Sequence, residues 1–146
     1  MVRRERWGKL LYNKYWNFKV YENGIKPSPL HLTFVFVPWE NITKIYKICL
    51  LGRFYIGIQF GSPHAPTLKS EVYNYEYGFA TRFRNDRELK RVLGILRERL
   101  GNRWEEVYNE NEVLCDVLCA DHYKAKGYKI VEYRGKDFVL IRKSGD

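Results

Sequence analysis

The 146-residue sequence predicts an α+β protein. Its body is a bent antiparallel β-sandwich or barrel closed by an amphipathic helix. An α-β-β extension follows. Three observations carry this. Short runs of alternating apolar and polar residues, separated by turn signals, fill residues 12 to about 84. One unbroken 3.6-residue pattern follows, from Asn85 to Gly101. The last 45 residues carry a second helical pattern and then two strand-like runs around "RGKD".

The elements follow in order. "YWNFKVYENGI" alternates Trp16, Phe18 and Val20 against Asn17, Lys19 and Tyr21, then turns at Glu22-Asn23-Gly24. "IKPSPLH" holds two prolines and reads as a loop or sheet edge. "LHLTFVFV" places Leu30, Leu32, Phe34 and Phe36 on one face of a strand. Pro38 cannot donate to a sheet ladder, so it is expected to end this strand or sit at an edge. Pro38-Trp39-Glu40-Asn41 then reads as a corner, with Trp39 covering the end of the core and Ile42 and Ile45 restarting the buried pattern. "NITKIYKICLL" and "FYIGIQF" are strands joined at Leu51-Gly52-Arg53, the second facing inward with Phe54, Ile56, Ile58 and Phe60. "VYNYEYGF" aligns Tyr73, Tyr75, Tyr77 and Phe79, and "ATRF" continues it or begins another strand.

In the main helix Asn85 caps the N-terminus with Glu88 three residues on. Leu89, Val92, Leu93, Leu96 and Leu100 share one face, and Arg97, Arg99 and Gly101 suit its C-terminal end. A second helix is expected from about Asn111 to Lys126, stopped by Gly127, before the hairpin "YKIVEY"/"FVLIRK". Two units are therefore expected, 1–104 and 105–146, the second packed on the first because so short a piece makes a poor core alone.

Charge is uneven. The formal net charge is +9, with +5 in residues 1–27, +1 in 28–81, +5 in 82–104, −6 in 105–123 and +4 in 124–146. Basic blocks attract anionic partners, although solvated basic faces are the commoner reason for them. The set Arg82, Arg84, Arg87, Lys90 and Arg91, where the last strand meets the helix, is the binding candidate. An alternative nucleic-acid face is Lys14, Tyr15, Trp16 and Lys19, since single strands bind where aromatics alternate with cations; strand aromatics more often face a core. No apolar run approaches the ~20 residues of a membrane span, and no secretory signal is visible, so a cytoplasmic protein is expected.

Cysteines are few and odd in number: Cys49, Cys115 and Cys119. That argues against a disulfide scaffold. On a helix Cys115, Cys119 and His122 would share one side, a weak metal site with Cys49, Asp116 or Asp121 as fourth ligand. Buried thiols explain them more simply. Glu40, Glu71, Glu76 and Asp86 are the acids a metal-dependent hydrolase would use, but "NDRELK" is better explained as a helix start. No phosphate-binding loop, dinucleotide motif, nucleophile elbow or zinc-protease motif occurs, so no catalytic residue and no cofactor are expected.

Val37, Pro38, Trp39, Glu40, Ile42 and Ile45, with "VYENGIK" before them and "FRNDRELKRVLGILRERL" after, resemble the prokaryotic pleckstrin-homology-like (PH-like) domains over residues 12–101. The resemblance implies a seven-stranded bent sandwich with a helix plugging one end. It implies no catalytic residues, and adaptors that mostly bind proteins or, in some eukaryotic members, lipid head groups. With the basic block added, the expected function is a non-catalytic interaction domain that binds a protein or presents a basic face to an anionic partner. Lys19 and Lys26 match part of a lipid head-group pattern, but "SPLHLTF" lacks its Arg-x-Arg, so binding to a membrane surface is not expected. Nucleic-acid binding and metal-dependent hydrolysis remain the alternatives.

Overall fold

A computed structural model describes residues 7–14, 18–27, 36–60, 78–134 and 136–143. Among the described residues two sheets form an α+β fold, and neither closes into a barrel. The first contains β1 (Leu10–Lys14), β2 (Phe18–Tyr21), β3 (Gly24–Pro27) and β4 (Val37–Pro38), in that order. The second adds β5 (Ile42–Leu50), β6 (Arg53–Phe60), β7 (Gly78–Phe83), β8 (Glu112–Asp116), β9 (Tyr128–Arg134) and β10 (Phe138–Lys143). Its order is β7-β6-β5-β8-β10-β9, antiparallel except where β8 runs parallel to β5.

Alternation places Phe18 and Val20 inward from β2, Ile45 from β5 and Ile56 and Ile58 from β6. Helix α1 (Asp86–Leu100) lays Leu89, Val92, Leu93, Leu96 and Leu100 onto this core. The Asn85 side chain accepts a 2.9 Å hydrogen bond from the Glu88 amide. Glu88 does not complete a capping box. Its carboxylate instead accepts from Lys14 Nζ at 2.6 Å and from the Tyr12 hydroxyl at 3.0 Å, tying α1 to β1. Lys14 holds the Glu88 carboxyl below the usual carboxylate range against the opposing effect of burial.

The Pro38 corner carries the chain from one sheet to the other. Residues Trp39–Asn41 form one 3-10 turn between β4 and β5. Trp39 is half-buried against the core, and its indole N–H donates to the Glu22 carbonyl at 2.7 Å. Arg103 reaches back from beyond α1 and donates to the carbonyls of Trp39 and Ile42, both at 2.6 Å. Gly24 opposes this corner across the first sheet, where a Cβ would collide with the Val37 carbonyl oxygen.

The C-terminal part differs from the expected α-β-β. Residues 112–116 are a strand, and helix α2 is only Val117–Lys124. Strand β8 lies inside the sheet between β5 and β10, with Glu112, Val113, Leu114 and Cys115 all buried. A strand covered on both faces has a continuous apolar run rather than alternation, which imitates part of a helix. The hairpin β9–β10 forms as expected. Pro27 lies within β3 rather than in a loop. The strand expected over 30–35 and the Tyr73, Tyr75 and Tyr77 stripe lie outside the described residues. Among the described residues, no helix is long and apolar enough to cross a membrane.

Candidate functional site

Strand parity puts Lys47 and Cys49 on the face of β5 that also receives α1 and α2. Phe54 stands opposite Cys49 on β6. Asp86 and Lys90 come from the first turns of α1, and Cys119 and His122 from α2. These residues surround a pocket of about 840 Å3, within the range of small-molecule sites. Lys126 and Lys143 complete its wall. Leu51, 71% exposed, and Leu118, 68% exposed, give it an apolar lip.

The pocket's electrostatics follow from four lysines facing one carboxylate. Asp86 Oδ1 lies 3.1 Å from Lys47 Nζ, and Oδ2 lies 3.0 Å from Lys90 Nζ. Burial pushes the Asp86 carboxyl up, but the two ammonium groups outweigh it and hold it below the usual carboxylate range. Asp86 is thus an ionised counter-charge at a helix N-terminus, not a proton donor. Burial raises the Tyr123 hydroxyl to about 12, so it stays a neutral donor beside Tyr128, whose ring centroid is 5.0 Å away. Lys126 and Lys143 have no ion-pair partner assigned among the described residues.

One wall of the pocket is a disulfide. Cys49 on β5 and Cys119 in the first turn of α2 are bonded, with Cα atoms 6.2 Å apart. Cys115 is free and fully buried, and burial pushes its thiol up to about 12. The expected trio of Cys115, Cys119 and His122 therefore does not assemble. Cys115 lies on a strand and Cys119 is bonded to Cys49, while His122 is exposed on α2. Among the described residues, no group of three His, Cys, Asp or Glu side chains is placed to hold a metal.

The expected basic set is divided. Arg82, Arg84, Arg87, Lys90 and Arg91 are all exposed. Lys90 enters the pocket. Arg84 acts on Glu88 and Arg91 on Tyr12, both on the β1 side of α1. Arg82 lies between buried Thr81 and Phe83 on β7 and so points to the opposite face of the sheet. On the alternative face Lys14 is committed to Glu88 and Lys19 is half-buried, while Tyr15 and Trp16 lie outside the described residues. Glu40 is exposed on the corner turn, away from the pocket lining, and Glu71 and Glu76 lie outside the described residues.

Sequence reading missed Lys47, Lys126, Lys143 and the Cys49–Cys119 bond. Lys47 and Cys49 were visible as i and i+2 on one strand. Their pocket partners on the helices and on β10 sit more than 30 residues away: α1 brings Asp86 and Lys90, and the pairing of β8 beside β5 brings Cys119, Lys126 and Lys143. No protein-family model, curated protein or solved structure matches this chain.

Proposed function

We propose that the chain is a non-catalytic, PH-like interaction domain whose lysine-lined pocket receives an acidic segment of a partner protein. The convergence of Lys47, Lys90, Lys126 and Lys143 on one pocket, against the single carboxylate of Asp86, carries this reading. The exposed Leu51 and Leu118 on the lip suit an acidic segment that also bears apolar side chains. Support for the PH-like part comes from the division of the first seven strands among the described residues. Four lie in one sheet and three in sequence in the other, and an amphipathic helix follows.

The test is fluorescence anisotropy with a labelled Glu/Leu peptide over a salt series. Lys126→Glu with Lys143→Glu should weaken binding at least about tenfold, because both attraction and steering reverse. Arg87→Glu with Arg91→Glu, outside the pocket, should change it little. The reverse ranking would move the site to the exposed face of α1. No binding at low salt would end the proposal.

A further inference from the structure

We propose that Cys49–Cys119 is an exchangeable disulfide, opened from the pocket by a low-molecular-weight thiol that carries carboxylates. The idea rests on the anionic reading of the pocket and adds covalent chemistry to it. Three observations combine. Both bonded cysteines line the 840 Å3 pocket, whereas Cys115 is sealed in the sheet. Lys47, Lys90, Lys126 and Lys143 surround the same space, so an anionic thiol is concentrated there and a cationic one repelled. Cys119 lies in the first turn of α2, its amide donating to the capping Asp116 carboxylate at 2.9 Å. The pocket lysines and the helix N-terminus favour a departing Cys119 thiolate, against the opposing charge of the Asp116 carboxylate, and make Cys119 the better leaving group.

A thiolate attacks Cys49 Sγ, forming a mixed disulfide. The Cys49–Cys119 bond breaks and its electron pair leaves on Cys119 Sγ. A second thiolate attacks the small-molecule sulfur of the mixed disulfide, releasing a small disulfide and the Cys49 thiolate. Two thiols lose two electrons in all, and the protein disulfide gains them. The two cysteine thiolates take up protons according to pH. The mixed-disulfide stage places the thiol's carboxylates among the lysines, where they compete with an acidic segment. The pocket therefore reports the thiol poise to its partner.

The experiment uses the whole native protein. Reduced glutathione, neutral 2-mercaptoethanol and cationic cysteamine are compared at matched thiolate concentration. Freed cysteines are trapped by alkylation and counted by intact mass. Glutathione should open the disulfide about tenfold faster than cysteamine, and high salt or Lys126→Gln with Lys143→Gln should erase the difference. Peptide mapping should find the adduct on Cys49. Equal rates, faster cysteamine, resistance of the native protein to all three thiols, or an adduct on Cys115 would each overturn the proposal. The Cys49→Ser/Cys119→Ser variant separates it from the binding reading. If that variant binds the acidic peptide normally while the wild-type disulfide shows no charge preference, the anionic pocket stands and the exchange falls.

Discussion

Reduction of Cys49–Cys119 should lower the stability of the fold substantially, and the size follows from where the bond sits. The two cysteines are 70 residues apart in sequence. In the chain-entropy model, opening a loop of that length returns about 4 kcal/mol of freedom to the unfolded chain, and measured losses for native disulfides run from roughly 2 to 5 kcal/mol. The bond also anchors α2, an eight-residue helix that packs on the sheet through Ala120 and Tyr123 and is tied to the β5–β6 turn through its Asp116 cap. A helix so short is not stable by itself. Equilibrium unfolding in urea, followed by far-ultraviolet circular dichroism with and without reductant, reads the effect. With a slope of about 2 kcal/mol per molar, the midpoint should fall by about 1–2.5 M. An unchanged midpoint would refute the reasoning. So would the alkylation of Cys49 and Cys119 in native protein never exposed to reductant.

Trp39→Phe should cost about 1 kcal/mol, because it removes the indole donor to Glu22 while keeping a ring on the core; Trp39→Ala should cost roughly 2–3 kcal/mol for a half-buried ring. Urea midpoints for the two variants would check this. Leu51 has φ of 51° and Gly52 has φ of 75°, a hairpin turn that favours Asn-Gly. Leu51→Asn should therefore raise stability by roughly 1 kcal/mol, while weakening the acidic peptide by removing the apolar lip; thermal unfolding and anisotropy read the two effects separately. The depressed carboxyls of Glu88 and Asp86 contribute stability that is present above the ordinary carboxylate range and lost as pH falls through their folded values, below about pH 4. Lys14→Met should flatten the acid limb of a stability–pH profile, and an unaltered limb would show that the Lys14–Glu88 pair does not contribute to it.

The parts of this molecule that were legible in its sequence are those whose partners are near in sequence. Helix α1 has its Asn85 cap, its apolar face and its stop within 17 residues, from Asn85 to Gly101, and these appear as read, except that the Glu88 carboxylate turns to Lys14 and Tyr12 instead of closing a capping box. The Pro38 corner was legible because Pro38 cannot donate to a ladder, and β4 ends on it, although the corner's clamp, Arg103, lies 64 residues from Trp39 and belongs to a basic block in the sequence. Residues 111–126 show the limit. Val113, Leu114, Val117 and Leu118, with Cys115 and Cys119, repeat at helical spacing, and nothing local distinguishes this from a strand buried on both faces. The deciding signal is Asp116. Its carboxylate accepts from the Cys119 amide and also from the Leu51 amide, both at 2.9 Å, so it starts the helix and fastens it to the β5–β6 turn. Taking Asn111 as the start hid that cap, moved β8 out of the sheet and left Cys119 beside Cys115 instead of Cys49. One misplaced helix start thus concealed both the disulfide and the pocket it walls. Asp116→Ala tests how far that single residue sets the arrangement. It removes a helix cap and the anchor of a turn whose Leu51 is already in the left-handed region, so a loss of about 2 kcal/mol is expected. Faster opening of Cys49–Cys119 by a neutral thiol should accompany it, and a variant with wild-type stability and wild-type exchange would show that β8 and the disulfide alone hold α2 in place.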